Sequence, residues 1–441
     1  MDNIHYIRAD IMNNKIKRIL HSKNIRNSEW IIGQQVFQML IQFIVGILVA
    51  RYLGPSNYGS LNYTASFVTF ASSITTLGMD SVVIKKIIDH PDEEGIYLGS
   101  CIGFRLLASV FSIISVSLVV YILNPTEPVK LVLVFLQSFE LFFRAMQLLD
   151  SWFQCHLISK YVSIGKIVAS LIVSSYKIYL LASSKSIVWF AVCNSMTEGI
   201  IAAFEVYYYK KKGNQKLQFD ASYSKEVLRE SYHFIIAGIM TAIYSQMDRV
   251  MIGQMMTDKD VGLYSTATAI SGMWLFIPIA IINSFQPLII EMKKNGNEHD
   301  YLRRLKQLYS FVIWLCIIVS LIICIFASSI INILYGAEYI NAVSTLRISI
   351  WFETFAIIGT ARGIWILCEK KNKYVKYYLF IGVIVNLILN YTMIPIYGIN
   401  GAAVATLITQ ITTSIIAPLF FKETKIHSKI VWDAVIFKWD K

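Results

Sequence analysis

Twelve runs of mostly apolar residues recur along the chain, each long enough to cross, as a helix, the roughly 30 Å hydrocarbon core of a bilayer. Their approximate limits are 30–52, 59–84, 96–123, 129–155, 161–183 and 186–209 in the first half, and 231–256, 261–290, 307–334, 339–368, 374–396 and 398–421 in the second. None alternates polar with apolar residues over about ten positions, as a strand of a membrane barrel does. In lipid the backbone polar groups must be satisfied within the segment itself, so these runs are helices. The sequence predicts an all-α integral membrane protein with twelve transmembrane helices. Composition agrees: of 441 residues 56% are hydrophobic and 15% charged, where an ordinary soluble domain has about 25% charged residues. A cytosolic enzyme is excluded.

Residues 1–29 are polar and basic and have no apolar core followed by a small-residue cleavage site, so the first run is expected to be an uncleaved anchor. The net charge of +12 would suggest nucleic acid in a soluble protein, but its distribution points elsewhere. With the N-terminus inside, 29 of the 40 Lys and Arg fall in the connections on that side, two (Lys185 and Lys259) on the other, and nine within the spans. Cytoplasmic loops retain positive charge during insertion. Both termini are therefore predicted to be cytoplasmic, with 422–441 as a tail, and no nucleic-acid partner is expected.

The outward connections are very short, among them Asn124–Pro128, Thr257–Asp260 and Tyr397–Asn400. They leave no room for an extramembrane catalytic or binding domain, and function has to lie between the helices. The longest link, 210–230, opens with Lys210, Lys211, Lys212 and Gly213. It divides the chain into an N-terminal six-helix bundle, 30–209, and a C-terminal one, 231–421. A shift of 203 residues lays Tyr58–Ala65 over Val261–Thr268, a parallel echo of the kind found in transporters built from repeats. Six helices separate the copies, so the halves are expected to relate by an axis along the membrane normal.

Four turns carry a family resemblance. Ala50-Arg51-Tyr52-Leu53-Gly54-Pro55-Ser56-Asn57-Tyr58-Gly59 resembles the signature turn of polysaccharide transporters, and Ser245 to Gly253, followed by Val261-Gly262-Leu263-Tyr264, resembles their seventh helix. Leu334-Tyr335-Gly336-Ala337-Glu338-Tyr339 and Gly398 to Ala405 are similar to two further characteristic turns, in the same order along the chain. The resemblance is to the Wzx-type flippases of lipid-linked oligosaccharides, in the MOP superfamily that also contains MATE drug exporters and the lipid II flippase. It implies two V-shaped six-helix bundles around a central cavity. It also implies a bacterial inner-membrane protein that moves undecaprenyl-pyrophosphate-linked O-antigen repeat units from the cytoplasmic to the periplasmic leaflet by H+ or Na+ antiport, working with an O-antigen polymerase and a chain-length regulator.

Could the residues do such work? A lipid-linked sugar carries phosphates and a polar head that cannot cross hydrocarbon unless a wet, cationic cavity replaces its water. A guanidinium suits phosphate because its planar fork donates two parallel hydrogen bonds and stays charged. Arg105, Arg144 and Lys177 lie well inside their spans, as do Arg249 and Arg347 in the second half; these five are the candidate pyrophosphate- and sugar-binding residues. Arg51, Lys130, Lys166 and Arg362 lie near span ends, where long cations snorkel. Glu140 and Arg144, four residues apart on one helical face, read equally as an internal pair or as cavity lining. Arg105, Lys177 and Arg347 have no acid three or four residues away, so a partner has to come from another helix or from the substrate. Asp248 and Arg249 point about 100° apart and cannot pair locally. Ion coupling needs a group whose charge state changes, and membrane carboxylates are suited to it because desolvation raises their proton affinity. The candidates are Asp80, Glu140, Asp150, Glu198, Glu205, Asp248 and Glu353; Asp150 and Glu205 approach the cytoplasmic ends, and Asp248 and Glu353 rank first by depth, with Glu140 kept beside them.

Other patterns carry less. Six cysteines, Cys101 to Cys368, all fall in apolar runs and read as packing residues. Gly99/Gly103 and Gly359/Gly363 have the spacing of close helix contact. There is no phosphate loop, no HExxH and no GxSxG, so neither ATP hydrolysis nor a cofactor is expected. A cation-coupled exporter of small amphipathic molecules is the alternative within the same fold, but it predicts a mainly acidic and aromatic cavity, and the cationic spans count against it. A membrane enzyme of O-antigen assembly, a polymerase or glycosyltransferase, normally needs a sizeable extramembrane loop, and the short outward loops count against that. Reporter fusions after residues 212 and 295 are expected to read cytoplasmic; a periplasmic signal from either overturns the orientation.

Overall fold

The computed structural model describes residues 23–76 and 78–439; the expected N-terminal segment lies outside the described residues over 1–22. Among the described residues there is no strand, and the α-helices follow in order. They are α1 (Lys23–Thr75), α2 (Asp80–Asp89), α3 (Glu94–Leu123), α4 (Pro128–Met146), α5 (Leu148–Cys155), α6 (Lys160–Ala182), α7 (Ile187–Lys212), α8 (Ala221–Met255), α9 (Asp258–Gly272), α10 (Phe276–Lys294), α11 (Glu298–Leu334), α12 (Ala342–Cys368), α13 (Val375–Ile411) and α14 (Lys425–Val435).

Each expected span has its helix, but the joints differ from a helix-loop-helix picture. α1 holds the first two spans and breaks at Gly54, where φ is 68° and Pro55 follows. α13 holds the last two and breaks at Gly398, with φ 60°. A side chain at such a φ meets the following carbonyl at a cost of about 1–2 kcal/mol, so glycine at these two points lets one helix turn straight into the next with no loop. Span four is divided into α4 and α5, and span eight into α9 and α10. Eight helical segments are long and apolar enough to cross a membrane. Two of them, Trp30–Asp89 and Asn372–Phe420, each contain two expected spans. The spans not represented are the fourth, which carries Lys130, Glu140 and Arg144, and the seventh, which carries Asp248 and Arg249.

Apolar residues cover the helix surfaces. On α3, Leu107, Phe111, Ile114, Leu118 and Ile122 are exposed and recur every three or four residues, forming one stripe on the helix; lipid is the solvent such a stripe needs.

By packing, the chain forms two compact units. Of the described residues, the first comprises those within 23–45, 71–119 and 131–235, and its core includes Met79, Leu98, Trp152, Phe153 and Tyr209. The second comprises 46–70, 120–130 and 236–439, with Tyr301, Tyr309, Ile350, Trp365 and Tyr378 in its core. Of the link 210–230, only 213–220 is non-helical, and in the first unit it is strapped to α3. Gln218 donates its N–H to Gly95 O at 3.2 Å, and the Asp220 N–H reaches Ser100 Oγ at 2.9 Å. A methyl group on Gly99 would overlap the Gln218 carbonyl, and one on Gly103 would stand 2.7 Å from the Phe219 ring. The small-residue spacing at Gly99 and Gly103 thus seats an extended link instead of a second helix. At Gly363 nothing lies within 4 Å of an added methyl.

Within the second unit, a methyl group on Gly59 would overlap the Asp258 carbonyl, and one on Gly262 would overlap the Pro55 carbonyl. The 203-residue shift carries Pro55 onto Asp258 and Gly59 onto Gly262. One contact is therefore made twice, reciprocally, as a local twofold axis requires. Gly59→Ala or Gly262→Ala should destabilise the protein by about 1–3 kcal/mol through overpacking, read as a fall in unfolding temperature. Gly46→Ala, in the same helix as Gly59 but with open space around it, should not; equal effects at positions 46 and 59 would remove the backbone contact as the cause.

Candidate functional site

Arg105 and Arg144, chosen from sequence on depth alone, line one cavity of about 410 Å³ in the first unit, together with Asp80, Gln147, Asp150 and Gln154. α3 brings Arg105, α4 brings Arg144, and the short helices α2 and α5 bring the rest. Thr76, Ser81 and Ser151 add hydroxyls to the wall. The two guanidiniums are not bare. Arg105, with 1% of its side chain exposed, meets the half-exposed Asp80 carboxylate at 3.0 Å. Arg144 lies 3.1 Å from Glu198 and 3.6 Å from Glu140, and donates to Ser72 Oγ at 2.9 Å. Gln147 donates to the second oxygen of Glu198, and Asp150 is paired with Lys166 at 2.8 Å.

Glu140 and Arg144 are therefore both an internal pair and neighbours of the cavity wall, and the partner of Arg105 does come from another helix. With every group ionised, the three cations Arg105, Arg144 and Lys166 face four carboxylates, so the empty cavity is no simple cationic trap. Its arginines nevertheless keep donors in reserve: a guanidinium has five N–H bonds, and the buried Nε atoms of Arg105 and Arg144 make no hydrogen bond among the described residues, the latter standing only in ion-pair range of Glu140.

A second polar centre lies in the second unit around Asp248, which is 5% exposed. Its carboxylate accepts from four neutral donors: Asn390 Nδ2 and Thr406 Oγ1, both at 2.6 Å, Asn386 Nδ2 at 3.3 Å, and the Tyr264 hydroxyl. No Lys, Arg or His pairs with it among the described residues. Arg249 turns away, as the angle between adjacent helical residues requires, and donates to Gln246 Oε1 at 3.0 Å and Thr268 Oγ1 at 3.4 Å. The four donors escaped the sequence reading, which looked for charges. The available signal was Asn386 and Asn390, two amides four residues apart on one face of an otherwise apolar run.

The remaining candidates stand apart. Lys177 is half-buried in the middle of α6, with no carboxylate in ion-pairing range among the described residues. Glu353 of α12 faces Ser271 and Gly272 of α9. Arg347 corrects an expectation: α12 begins at Ala342, so the residue is only about 7.5 Å from the helix start, is exposed, and caps the Cys324 carbonyl at 3.2 Å. Depth had been counted from a span drawn from residue 339, which blurred where the helix opens.

The polysaccharide biosynthesis protein family matches residues 25–293, well over half of the chain. The chain belongs to that family. A second family, MatE, matches residues 234–392. Among curated proteins the chain is similar to the probable flippase AglR of Haloferax volcanii, 24% identical over 40% of this chain but only 37% of that protein. It is also similar to the capsular polysaccharide biosynthesis protein CapF of Staphylococcus aureus, 20% identical over 90% of this chain and 99% of that one. Among solved structures, the lipid II flippase MurJ in an inward closed conformation superposes with a TM-score of 0.72 at 16% identity, covering 92% of this chain and 90% of that one. The fold is that of the MOP superfamily, and the protein is a multi-pass membrane protein of this polysaccharide family.

The two centres should differ in what a lost partner costs. Asn390→Leu removes a close donor from a buried carboxylate, and a stability loss of about 1–3 kcal/mol is expected. Asp80→Ala leaves the buried Arg105 guanidinium without its carboxylate, and a loss of about 3–5 kcal/mol is expected. Thermal unfolding of the purified variants ranks the two, and an unfolding temperature unchanged by Asn390→Leu would show that Asp248 is not held by its amide neighbours.

Proposed function

We propose that this protein is a flippase for lipid-linked glycans, carrying undecaprenyl-pyrophosphate-linked O-antigen units from the cytoplasmic to the periplasmic leaflet of a bacterial inner membrane, with both termini cytoplasmic. The observation that carries this reading is the first unit's cavity. Two arginines there are held by carboxylates, and one of those carboxylates, Asp80, is half exposed. A pyrophosphate offers a guanidinium the same paired oxygens as a carboxylate, with more charge. Cargo therefore enters by exchange: phosphate oxygens take the place of Asp80 on Arg105, and the reserve Nε donors add to the new contact. Gln147, Gln154 and the wall hydroxyls supply the neutral hydrogen bonds that a sugar needs. An empty site whose arginines are paired with its own acids avoids a bare cation in a low dielectric. The names of the relatives, a probable flippase and a capsular polysaccharide protein, support the cargo class.

Asp248 is the ion-coupling group in this reading. A buried carboxylate held only by neutral donors takes up H+ directly. It can also take Na+ when the Asn386 and Asn390 amides rotate to present their oxygens, since hard cations prefer oxygen ligands. Transport proceeds by alternating access, and an O-antigen polymerase and chain-length regulator act downstream. The small-molecule exporter, supported by the MatE match, would be favoured by an acidic and aromatic cavity; the arginines in the wall weigh against it.

The test is reconstitution in liposomes with a polyprenyl-pyrophosphate oligosaccharide, scoring transfer between leaflets with and without an imposed H+ or Na+ gradient. Arg105→Gln and Arg144→Gln should each slow transfer about tenfold or more, the worth of one charge-assisted contact, with protein abundance unchanged. Asp248→Asn should remove the response to the gradient. Wild-type rates in both arginine variants would overturn the cavity as the cargo site.

A further inference from the structure

The last helix, α14, packs across the end of α11, α12 and the segment after α13. Its His427 meets Tyr309 of α11 at 2.7 Å, Ser428 donates to the Ile415 carbonyl at 2.8 Å, and Asp433 pairs with the buried Lys306 at 2.9 Å. The Ala434 and Val435 carbonyls accept from Ser310 and from the Trp314 indole. This fixes which side of α14 faces outward. On that side Lys425 and Lys429 are exposed, Trp432 is 65% exposed, and Ile426 and Phe437 are more than half exposed. At 3.6 residues per turn, Lys425, Lys429 and Trp432 fall within about 60° of one another. Neither lysine has a carboxylate partner among the described residues. The neighbouring Lys371 and Lys373, by contrast, are already taken up by Glu423, at 2.8 and 3.4 Å. The Phe437 ring stacks on Trp314 of α11 at 5.7 Å, so the apolar part of this face is continuous with the exposed surface of a membrane-spanning helix.

We propose that the outer face of α14 is a binding surface for anionic phospholipid headgroups, with Lys425 and Lys429 on the phosphates and Ile426, Trp432 and Phe437 in the boundary between headgroups and acyl chains. Tryptophan and lysine share that boundary, the ring at the headgroup level and the ammonium reaching toward phosphate, and unpaired lysines there are drawn to negative lipid. The same face continues the apolar surface of α11 into the headgroup layer, which a soluble acidic protein would have no reason to match. The inference depends on the membrane location of the chain and not on what it transports.

The test uses the full-length protein in detergent micelles, titrated with dioleoyl phosphatidylglycerol or dioleoyl phosphatidylcholine and read by native mass spectrometry of the bound lipid. Wild type should retain phosphatidylglycerol in preference to phosphatidylcholine. Lys425→Gln/Lys429→Gln should lose about thirtyfold in phosphatidylglycerol affinity, as neutralising two lysines near a charged surface implies, with phosphatidylcholine binding unchanged. The substituted residues are exposed, so an unchanged unfolding temperature separates this from misfolding. Equal retention of the two lipids by wild type, or equal phosphatidylglycerol retention in wild type and variant, overturns the proposal. So does a dimer that disappears with Trp432→Ala in the absence of any lipid preference, which would mean that a second copy of the chain covers this face.

Discussion

Removing a charged side chain from water costs several kcal/mol per ion even after the protein relaxes around it, and inside a bilayer no bulk water is at hand to lower that cost. Every charge kept within a span must therefore be solvated by the protein itself. The two units meet that demand in opposite ways. In the first, cations and carboxylates pair: Arg105 with Asp80 and Lys166 with Asp150 from other helices, and Arg144 with Glu198 from another helix and with Glu140 from its own. In the second, Asp248 has no counter-ion and is solvated by the dipoles of two amides and two hydroxyls.

These solutions differ in what they permit. An ion pair with one half-exposed member is open to exchange, because an incoming anion replaces like with like and leaves no charge unmatched. A carboxylate surrounded by neutral donors is instead open to addition: it binds a proton or a cation without first releasing a partner. One arrangement suits a charged cargo that comes and goes, the other a small ion that binds and leaves. The polar residues required have a consequence for the helices, since the fourth and seventh spans, which carry Glu140, Arg144 and Asp248, are the two that fall short as simple apolar segments. Their hold on the structure comes from cross-helix hydrogen bonds and ion pairs more than from hydropathy.

Most of the fold was legible in the sequence because length and apolarity alone decide which segments can cross a bilayer. The all-helical class, the twelve segments and the kinship with MOP transporters all follow from runs and turns readable by eye. The 203-residue echo also had a physical counterpart, in the reciprocal contacts of Gly59 with Asp258 and Gly262 with Pro55. The sites were only partly legible. Depth along a span brought out Arg105, Arg144 and Asp248, but it says nothing about rotation around the helix axis or about which helix lies opposite. Hence Asp80 is legible as a membrane carboxylate, but its pairing with Arg105 across two helices is not. Asn386 and Asn390 were missed because an uncharged amide scarcely lowers the hydropathy of a run. Arg347 was placed too deep because a turn of three residues shifts a helix start by one-third of the distance that matters.

Position along the chain adds one more relation. Asp248 and Arg249 are consecutive on α8, so any shift of that helix moves both. The carboxylate is bound to α9 through Tyr264 and to α13 through Asn386 and Asn390, while the guanidinium is bound to α9 through Thr268. A cation arriving at Asp248 competes with the Tyr264 and Thr406 hydroxyls for the same oxygens, and relaxing the Tyr264 contact loosens α9 from α8 on one side while Thr268 still holds it on the other.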